Sequence, residues 1–371
     1  MRVVVDACML DGLPSGAATR AAALGAALAA RGRVEALHLV RRGVDPLPGL
    51  RCVPCDGMQT PWQRARAGRA LQRLVAEHGA GLLAAGALPL PRLAEGAVPL
   101  VLTLHDLRVL EPASGASAAR RLWARHRLAP NLARAARLVA VSRSTAEELS
   151  ARGLYPAERI AVVPNAGTPG LARLDDAASL AAFRRAAGLN CRYALALGPL
   201  EPHKQPGLLL SALAETAGGP AADLGLVFAG RATPEAVAAL QRRAAALGVA
   251  ARVRVLGLLD PPVLAAALSG ADALLLAGRS EGFSIVLVDA QRLGLPVVAV
   301  AAGALPEVAG DGAWLAPPGD PRAFAAALLL ATTPSPERSA RLQAARRAAE
   351  RWSWERSAEQ LEQVWLDAAR R

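Results

Sequence analysis

The sequence predicts an α/β protein of two doubly wound domains that face each other across a cleft. Its 371 residues are too many for one ordinary core and enough for two. Short apolar segments alternate with helix-like segments, as in parallel sheets that are covered by helices on both faces. This alternation stops once, at the stretch Pro164–Asn190 with its Pro and Gly residues, and then starts again. That stretch is therefore expected to be a linker.

The elements follow this alternation in order. In the first domain, strands are expected at Arg2–Ala7, Val34–Val40, Leu100–Leu104, Leu138–Val141 and Ile160–Val163, with a helix at Ala17–Arg31. In the second, strands are expected at Tyr193–Leu197, Leu224–Ala229, Val253–Leu256, Ala273–Leu276 and Pro296–Val300, with helices near Pro206–Thr216, Pro234–Leu247, Pro261–Ser269 and Phe283–Leu293. Ligands of such sheets bind beyond the carboxyl ends of the strands, so the residues that follow each strand are the candidates for chemistry.

Composition and charge narrow the function class. No uncharged apolar run reaches the ~20 residues of a membrane-spanning helix, and the N-terminus lacks the apolar region of a signal peptide, so a cytoplasmic protein is expected. The net charge of +12 lies mainly in residues 1–165, where 22 arginines outnumber 12 acidic residues. This basic half predicts an anionic partner, either a membrane surface or a phosphorylated substrate. Nucleic acid is not expected, because the basic stretches lack interleaved aromatic residues.

Two of the four cysteines, Cys52 and Cys55, form a CxxC pair. Such a pair can be a redox or metal motif. No second CxxC and no histidine pair at zinc spacing accompanies it, which favours two ordinary thiols near the end of a strand.

The turn from Gly198 to Lys204 follows the first strand of the second domain and leads into a helix. A glycine and a cation in such a turn are typical of a phosphate cradle. Lys204 is the only lysine of the chain, which indicates a site that needs a compact ammonium rather than a guanidinium. The alternative is a solvated residue in the first turn of a helix.

Two acidic residues, Glu281 and Asp289, lie around the start of the helix that follows Ala273–Leu276. Both could accept hydrogen bonds from sugar hydroxyls while the helix N-terminus binds a diphosphate. Asp289 lies in an otherwise apolar stretch, where a carboxylate without a partner costs free energy. The alternative is an acid that favours the helix dipole together with a surface carboxylate.

Gly278–Gly282 also matches the G-x-S-x-G pattern of a hydrolase nucleophile elbow, with Ser280 as the nucleophile. In that triad the histidine follows the serine, and none of the five histidines follows Ser280. The hydrolase interpretation is therefore not favoured.

His105 lies just after the first-domain strand Leu100–Leu104. At this position it could hydrogen-bond a reacting sugar or carry a proton. A structural histidine that caps a loop is the alternative.

Taken in order, these segments resemble the family-4 glycosyltransferases, which have the GT-B fold of two Rossmann-like domains. The resemblance extends over nearly the whole chain and is closest to bacterial mannosyltransferase-like members that build surface polysaccharides. It rests on segments of both domains, namely His105–Leu107, Leu138–Leu149, Arg159–Asn165, Gly198–Lys204, Glu281–Asp289, Leu305–Val308 and Trp352–Arg356.

The resemblance implies a retaining, metal-independent hexosyltransferase with no cofactor, a nucleotide-sugar donor (GDP-mannose is expected) and a glycan or lipid-linked acceptor. The acceptor domain would be residues 1–170 with a C-terminal helix from about 352 to 371 that crosses back to it, and the donor domain residues 190–350. The implied catalytic residues are His105 and Glu281. The implied donor-binding residues are Gly16, Gly198, Lys204, Gly230, Glu281, Gly282, Phe283, Ser284 and Asp289.

The Arg-rich stretches Gln63–Arg73 and Arg120–Arg137 of the first domain are candidates for contact with the inner face of the plasma membrane. The side chains that could bind anionic lipid are Arg64, Arg69 and Arg73, or Arg121, Arg125 and Arg127 beside Trp123. A solvated helix face is the alternative.

Three features depart from the family pattern. Asp289 stands where the family usually has a glutamate, Pro199 and His203 alter the phosphate loop, and Ala18 stands where a second glycine is common. These departures keep open a second hypothesis, in which the chain binds sugar nucleotides without turning them over.

Overall fold

A computed structural model of the chain describes residues 1–43, 49–58, 60–93, 97–110 and 118–370. The side chains of Arg121, Trp123 and Arg125, three of the predicted lipid contacts, lie outside the described residues. The chain divides into two compact units. The first holds the described residues up to Ala166 together with the C-terminal segment from Ser353, and the second holds Gly167–Trp352.

The first unit contains a seven-stranded sheet in which every pairing is parallel. Its strands are β1 (Arg2–Asp6), β2 (Glu35–Arg41), β3 (Arg51–Cys55), β4 (Leu82–Ala85), β5 (Leu100–Leu104), β6 (Arg137–Ala140) and β7 (Ile160–Val162), in the order β3-β2-β1-β4-β5-β6-β7. Val3 and Val4 point to opposite faces of the sheet and both are fully buried, so both faces are covered at this central strand.

Among the described residues of the first unit, five α-helices precede β7. They are α1 (Gly16–Arg31), α2 (Pro61–Arg66), α3 (Gly68–Glu77), α4 (Ala118–Leu132) and α5 (Arg143–Ala151). Helix α1 begins after Ser15, whose side chain accepts a hydrogen bond from the Ala18 N–H, and ends at Gly32, which has a φ of +68°. These are the usual capping residues for the two ends of a helix.

The second unit repeats the architecture with six parallel strands. They are β8 (Tyr193–Leu197), β9 (Gly225–Ala229), β10 (Val253–Leu256), β11 (Ala273–Leu276), β12 (Val297–Val300) and β13 (Trp314–Ala316), in the order β10-β9-β8-β11-β12-β13. The helices are α6 (Ala177–Ala186), α7 (Pro206–Glu215), α8 (Pro234–Ala246), α9 (Pro261–Ser269), α10 (Ile285–Leu293), α11 (Leu305–Ala309), α12 (Pro321–Thr332) and α13 (Pro336–Ala349). The predicted class of two parallel-sheet, Rossmann-like domains is confirmed.

The last helix, α14 (Trp354–Ala369), belongs to the first unit and packs against α1, as predicted for a helix that crosses back. The buried carboxylate of Glu362 accepts hydrogen bonds from Arg31, at 2.9 Å, and from Arg33, at 3.3 Å. This ionic contact adds to the apolar packing of Leu361 and Trp365, which are both buried. Within the described part of the chain, no helix is both long enough and apolar enough to cross a membrane.

Two predicted segments differ from the structure by more than one residue at a boundary. The stretch Pro164–Asn190 is not a plain linker, because it contains α6, which Asp176 caps by accepting hydrogen bonds from the N–H groups of Ala178 and Ser179. Helix α10 begins at Ile285 rather than at Phe283. Its N-cap residue, Ser284, has a φ of +80°, a left-handed conformation that cannot continue a helix towards the N-terminus.

Candidate functional site

The strand order of the second sheet reverses at β8, which lies between β9 and β11. Loops that leave neighbouring strands at such a switch point form the usual ligand site of an open α/β sheet. The loop after β8 carries Lys204, and the loop after β11 carries Glu281. The fold therefore brings these two predicted residues to the same place.

The Lys204 ammonium donates a hydrogen bond to the Glu281 carboxylate and forms an ion pair with it. Both side chains are largely buried, with 26% of Lys204 and 14% of Glu281 exposed. Within the described residues Glu281 is the one partner of this ammonium, so two of its three N–H donors remain available to a ligand.

Further hydrogen bonds join the same two loops. The side chain of Gln205 donates to the Ala277 carbonyl and accepts from Arg279 Nε at 3.0 Å, while the Arg279 N–H donates to the His203 carbonyl at 3.2 Å. Gln205 has a φ of +50°, a conformation that is uncommon for a residue other than glycine and that is concentrated at functional sites. No sequence pattern indicated this role of Gln205. Together these bonds hold Lys204 and Glu281 in place before a ligand binds.

Two predicted glycines allow the loops after β8 and β9 to approach closely. Gly198 has a φ of +126°, and a Cβ atom at this position would lie 3.3 Å from Lys204 Cε. Gly230 has a φ of +143°, and its Cβ would lie 2.1 Å from the Gly198 carbonyl oxygen. A side chain at Gly230 would therefore displace the backbone that carries Lys204.

The start of α10 follows Glu281 directly. Gly282 and Phe283 are buried, and the Phe283 ring meets the Trp352 ring edge-on at a centroid distance of 5.1 Å. Ser284 does not cap the helix with its side chain. The N–H groups of the first turn therefore lack their usual side-chain acceptor, which suits an anionic ligand.

Asp289 lies on α10 and is 4% exposed. Its carboxylate accepts hydrogen bonds from the Thr168 N–H at 2.6 Å and from the Thr168 hydroxyl at 2.7 Å. Burial raises the pKa of Asp289 to about 6, although the bonds from Thr168 and the charge of Arg292 act in the opposite direction. The hydrogen bonds from Thr168 thus offset part of the free-energy cost of burying the Asp289 carboxylate. The sequence did not reveal this partner.

The first unit holds the two remaining predicted residues. Gly16 is the first residue of α1, and His105 follows β5 with its Nε2 facing Gly86, where a Cβ would lie 3.9 Å away. Burial, and to a lesser extent the charge of Arg20, lowers the pKa of His105 to about 4. The imidazole is therefore neutral at physiological pH.

Arg20 is a further buried residue near His105, and it is 5% exposed. One terminal nitrogen donates to the carbonyls of Val163 and Pro164 and to the side chain of Asn165. The other has no hydrogen-bond partner within the described residues. A lone arginine among the alanines of the predicted helix was the available sequence signal, and it was missed.

The assignment of Arg64 to a lipid-binding face is wrong. Its side chain is 1% exposed, forms an ion pair with Asp6 and donates a hydrogen bond to the Ala87 carbonyl at 3.1 Å. The neighbouring Arg69 and Arg73 are exposed, as expected of a surface contact. Arg64 lies on α2, and its side chain reaches Asp6 at the end of β1.

The metal interpretation of the CxxC pair finds no support in the described residues, which contain no group of three His, Cys, Asp or Glu side chains that could hold a metal ion. Cys52 and Cys55 are three residues apart on β3, so their side chains point to opposite faces of the sheet.

Two family models match successive parts of the chain. The model described as Glycosyltransferase Family 4 matches residues 14–166, and the model described as Glycosyl transferases group 1 matches residues 191–332. A curated relative, the D-inositol 3-phosphate glycosyltransferase of Streptomyces avermitilis, is 34% identical over 265 residues, which are 64% of this chain and 53% of the relative. The chain spans about half the length of the curated relatives it matches.

Solved structures share the fold over the whole chain. The sucrose-phosphate synthase of Thermosynechococcus elongatus has a TM-score of 0.79 at 18% identity and covers 99% of this chain and 98% of its own. The Anabaena protein HepE in complex with UDP-glucose has a TM-score of 0.76 at 20% identity, with 99% and 100% covered. With two family models that together match most of its length, this chain belongs to the family-4 glycosyltransferases.

Proposed function

We propose that the chain transfers a sugar from a nucleoside diphosphate sugar to an anionic acceptor, and that the second unit binds this donor. The observation that carries this proposal is the ion pair of Lys204 and Glu281 at the switch point of the second sheet, directly before the uncapped start of α10. The Lys204 ammonium, with two unused N–H donors, and the Glu281 carboxylate thus lie beside the N-terminus of α10. A diphosphate and a sugar need these two kinds of partner at adjacent positions.

Transfer breaks the bond between the anomeric carbon and a diphosphate oxygen and forms a bond from that carbon to an acceptor hydroxyl oxygen, which gives up its proton to the departing diphosphate. Negative charge develops on the departing diphosphate, where Lys204 and the first N–H groups of α10 stabilise it. This supply of positive charge by the protein supports a reaction without a metal ion. Retention of the anomeric configuration is proposed from the family resemblance.

Glu281 is proposed to hold the hydroxyls of the transferred sugar, and Asp289 those of the ribose. Thr168 uses two of the roughly four acceptor positions of the Asp289 carboxylate, which leaves two for ribose hydroxyls. In the first unit, the neutral imidazole of His105 can donate one hydrogen bond and accept another, as a sugar hydroxyl requires.

The finer identity of donor and acceptor is also a proposal. The family resemblance favours GDP-mannose, while a structural neighbour binds UDP-glucose, so both donors belong in the first test. The curated relatives are named D-inositol 3-phosphate glycosyltransferases, and the excess of arginine in residues 1–165 agrees with a phosphate-bearing acceptor, whether a soluble polyol or a lipid-linked glycan.

A peripheral position on the inner membrane face is proposed from the surface of α2 and α3. Trp62, which is 77% exposed, and the exposed Arg66 lie on α2, and the exposed Arg69 and Arg73 lie on α3. Exposed aromatic and basic side chains on these two successive helices favour an anionic lipid surface. Sedimentation with phosphatidylglycerol vesicles tests this contact, and the double variant Arg69→Gln/Arg73→Gln should sediment several-fold less than the wild type.

Turnover of labelled donors tests the transferase proposal against the binding-only alternative. The wild type, given UDP-glucose or GDP-mannose with an inositol phosphate or a lipid-phosphate acceptor, should release the nucleoside diphosphate and form a glycoside with the donor's anomeric configuration. Lys204→Ala should lower kcat by about 10²–10³-fold, the usual cost of removing one preorganised charge-stabilising donor. A donor that binds but stays intact with every acceptor would support the non-catalytic binder instead.

A further inference from the structure

Arg279 is a second cation beside the ion pair of Lys204 and Glu281. It is an exposed residue of the loop after β11, two positions before Glu281. Its backbone N–H donates to the His203 carbonyl at 3.2 Å, and its Nε donates to the side-chain oxygen of Gln205 at 3.0 Å. These two acceptors belong to the residues on either side of Lys204. Arg279 is therefore anchored to the loop that carries the Lys204 ammonium.

The guanidinium of Arg279 keeps most of its hydrogen-bonding capacity. A guanidinium has five N–H donors, and Gln205 accepts from the one on Nε. The donors on the two terminal nitrogens have no acceptor among the residues that the structure describes, and no carboxylate there forms an ion pair with Arg279. A planar fork of this kind suits a phosphate group, which can accept two parallel hydrogen bonds from it.

The position of Arg279 is electrostatically unfavourable unless an anion lies nearby. Gln205, which accepts from its Nε, is the N-cap residue of α7, and the side chain of Gln205 makes no capping bond. The guanidinium thus lies at the positive end of a helix dipole, where a cation is disfavoured and an anion is favoured. The Glu281 carboxylate does not relieve this, because it already balances the charge of Lys204. The arrangement therefore suits a bound anion.

We propose that Arg279 binds the β-phosphate of the donor together with Lys204. This inference rests on the proposed function and adds to it a residue that touches the leaving group. The β-phosphate is the one bonded to the sugar, and Glu281, which is proposed to hold that sugar, lies on the same loop as Arg279. Lys204 and Glu281 together carry no net charge, whereas negative charge grows on the β-phosphate as its bond to the sugar breaks. Arg279 supplies the net positive charge that the ion pair lacks.

The loop after β8 offers no equivalent second cation. Between Gly198 and Gln205 the one basic residue besides Lys204 is His203, which is 4% exposed. Its Nδ1 lies 3.1 Å from the Glu201 carboxylate, so the imidazole is engaged within its own loop. The second positive charge at the diphosphate is thus assigned to the neighbouring loop.

The test compares the affinity for UDP with that for UMP, and the affinity for GDP with that for GMP, by titration calorimetry. Arg279→Gln should weaken binding of the diphosphate about tenfold or more, the usual effect of losing hydrogen bonds between charged groups. Binding of the monophosphate should hardly change, because it has no β-phosphate. Arg279→Lys keeps the charge and should lose less diphosphate affinity than Arg279→Gln. Arg242→Gln, which removes an exposed cation of α8, is the matched control and should bind all four nucleotides like the wild type.

An equal loss of affinity for the diphosphate and the monophosphate in Arg279→Gln would overturn the proposal, since it would mean that Arg279 only anchors Gln205 and its loop. Unchanged diphosphate binding in Arg279→Gln, with the wild type binding normally, would overturn it as well and would leave the donor site itself intact. If neither diphosphate binds to the wild type or to Arg242→Gln, the proposed donor site is refuted, and the role of Arg279 is refuted with it.

Discussion

Lys204 donates a hydrogen bond to Glu281, 77 residues further along the chain, and thereby joins the loops that leave two neighbouring parallel strands. The backbone of Glu281 is held too, because its carbonyl accepts from the Ala304 N–H at 2.8 Å, and a Cβ at Gly303 would lie 2.7 Å from that carbonyl oxygen. The pair is thus fixed by contacts that need no ligand. A preorganised cation and carboxylate at a switch point are the centre of the proposed donor site.

Lys204 should be protected from amine reagents by the donor. Because it is the only lysine, its ε-amine is the one side-chain amine that such a reagent can modify. Reductive methylation followed by mass mapping should show at least several-fold slower modification at saturating nucleotide diphosphate. The N-terminal amine is the internal control and should react at an unchanged rate. Equal protection of both amines would point to reagent quenching rather than to binding at Lys204.

Gly230→Ala should destabilise the second unit by about 2 kcal/mol or more, because the new Cβ meets the Gly198 carbonyl oxygen in a strained backbone conformation. Gly207→Ala is the matched control, since Gly207 lies on α7 and a Cβ there has no neighbour within 4 Å. Its stability should rise by up to about 1 kcal/mol, as for an ordinary helical glycine. Urea unfolding of both variants measures these differences, and similar values for the two would refute the close-approach argument.

Asp289 should make the second unit less stable as the pH rises. Its folded pKa, about 6, is above the ordinary value of 3.8, so between these values the folded state keeps a proton that the unfolded state has released. The stabilisation is complete below about pH 4 and is lost as the pH rises through 6, a change of about 3 kcal/mol. Asp289→Asn keeps the shape and cannot titrate. The stability difference between variant and wild type should therefore move in favour of the variant between pH 4 and 7, and a constant difference would argue against the raised pKa.

His105 should not titrate in the working range of the enzyme. Its pKa is lowered to about 4, so the neutral form is favoured by folding, and that contribution is present above about pH 6.5 and lost as the pH falls through 4. Any inflection of the pH profile of kcat/KM near 6.5 should therefore remain in His105→Asn. An inflection that this variant removes would contradict the lowered pKa of His105. His38, which is buried in β2 with its pKa also lowered to about 4, is present in both proteins and cancels in the comparison.

Residues after strands were predictable, because adjacent parallel strands place their carboxyl ends together. This rule identified Lys204 and Glu281 as candidate site residues before their contact was known.

Two strands of the first unit, β3 and β4, were not predicted, because their sequences lack a clear strand pattern. β4 consists of two leucines and two alanines, which are good helix formers, and β3 contains Pro54, which is unusual within a sheet.

Contacts that depend on tertiary packing were not predictable. Arg64 lies in an Arg-rich stretch whose pattern predicts an exposed, solvated helix face. In the structure its buried side chain instead forms an ion pair with Asp6. The Asp289 carboxylate accepts hydrogen bonds from Thr168, which lies 121 residues earlier in the chain. No local sequence spacing relates these two residues. In each case the sequence signals a charge that needs a partner, and only the fold supplies it.

Thermal unfolding with GDP, UDP, ADP and dTDP, each with and without EDTA, tests the central claim most directly. A nucleotide at ~100 times its Kd stabilises the unit that binds it by about 2.7 kcal/mol, a rise of a few degrees in Tm. We predict that one nucleotide raises the Tm of the wild type and of Arg322→Ala, a variant of an exposed cation on α12, independently of EDTA, and that Lys204→Ala loses the rise. An equal rise in Lys204→Ala, or no rise with any nucleotide, would contradict a donor site at Lys204 and Glu281.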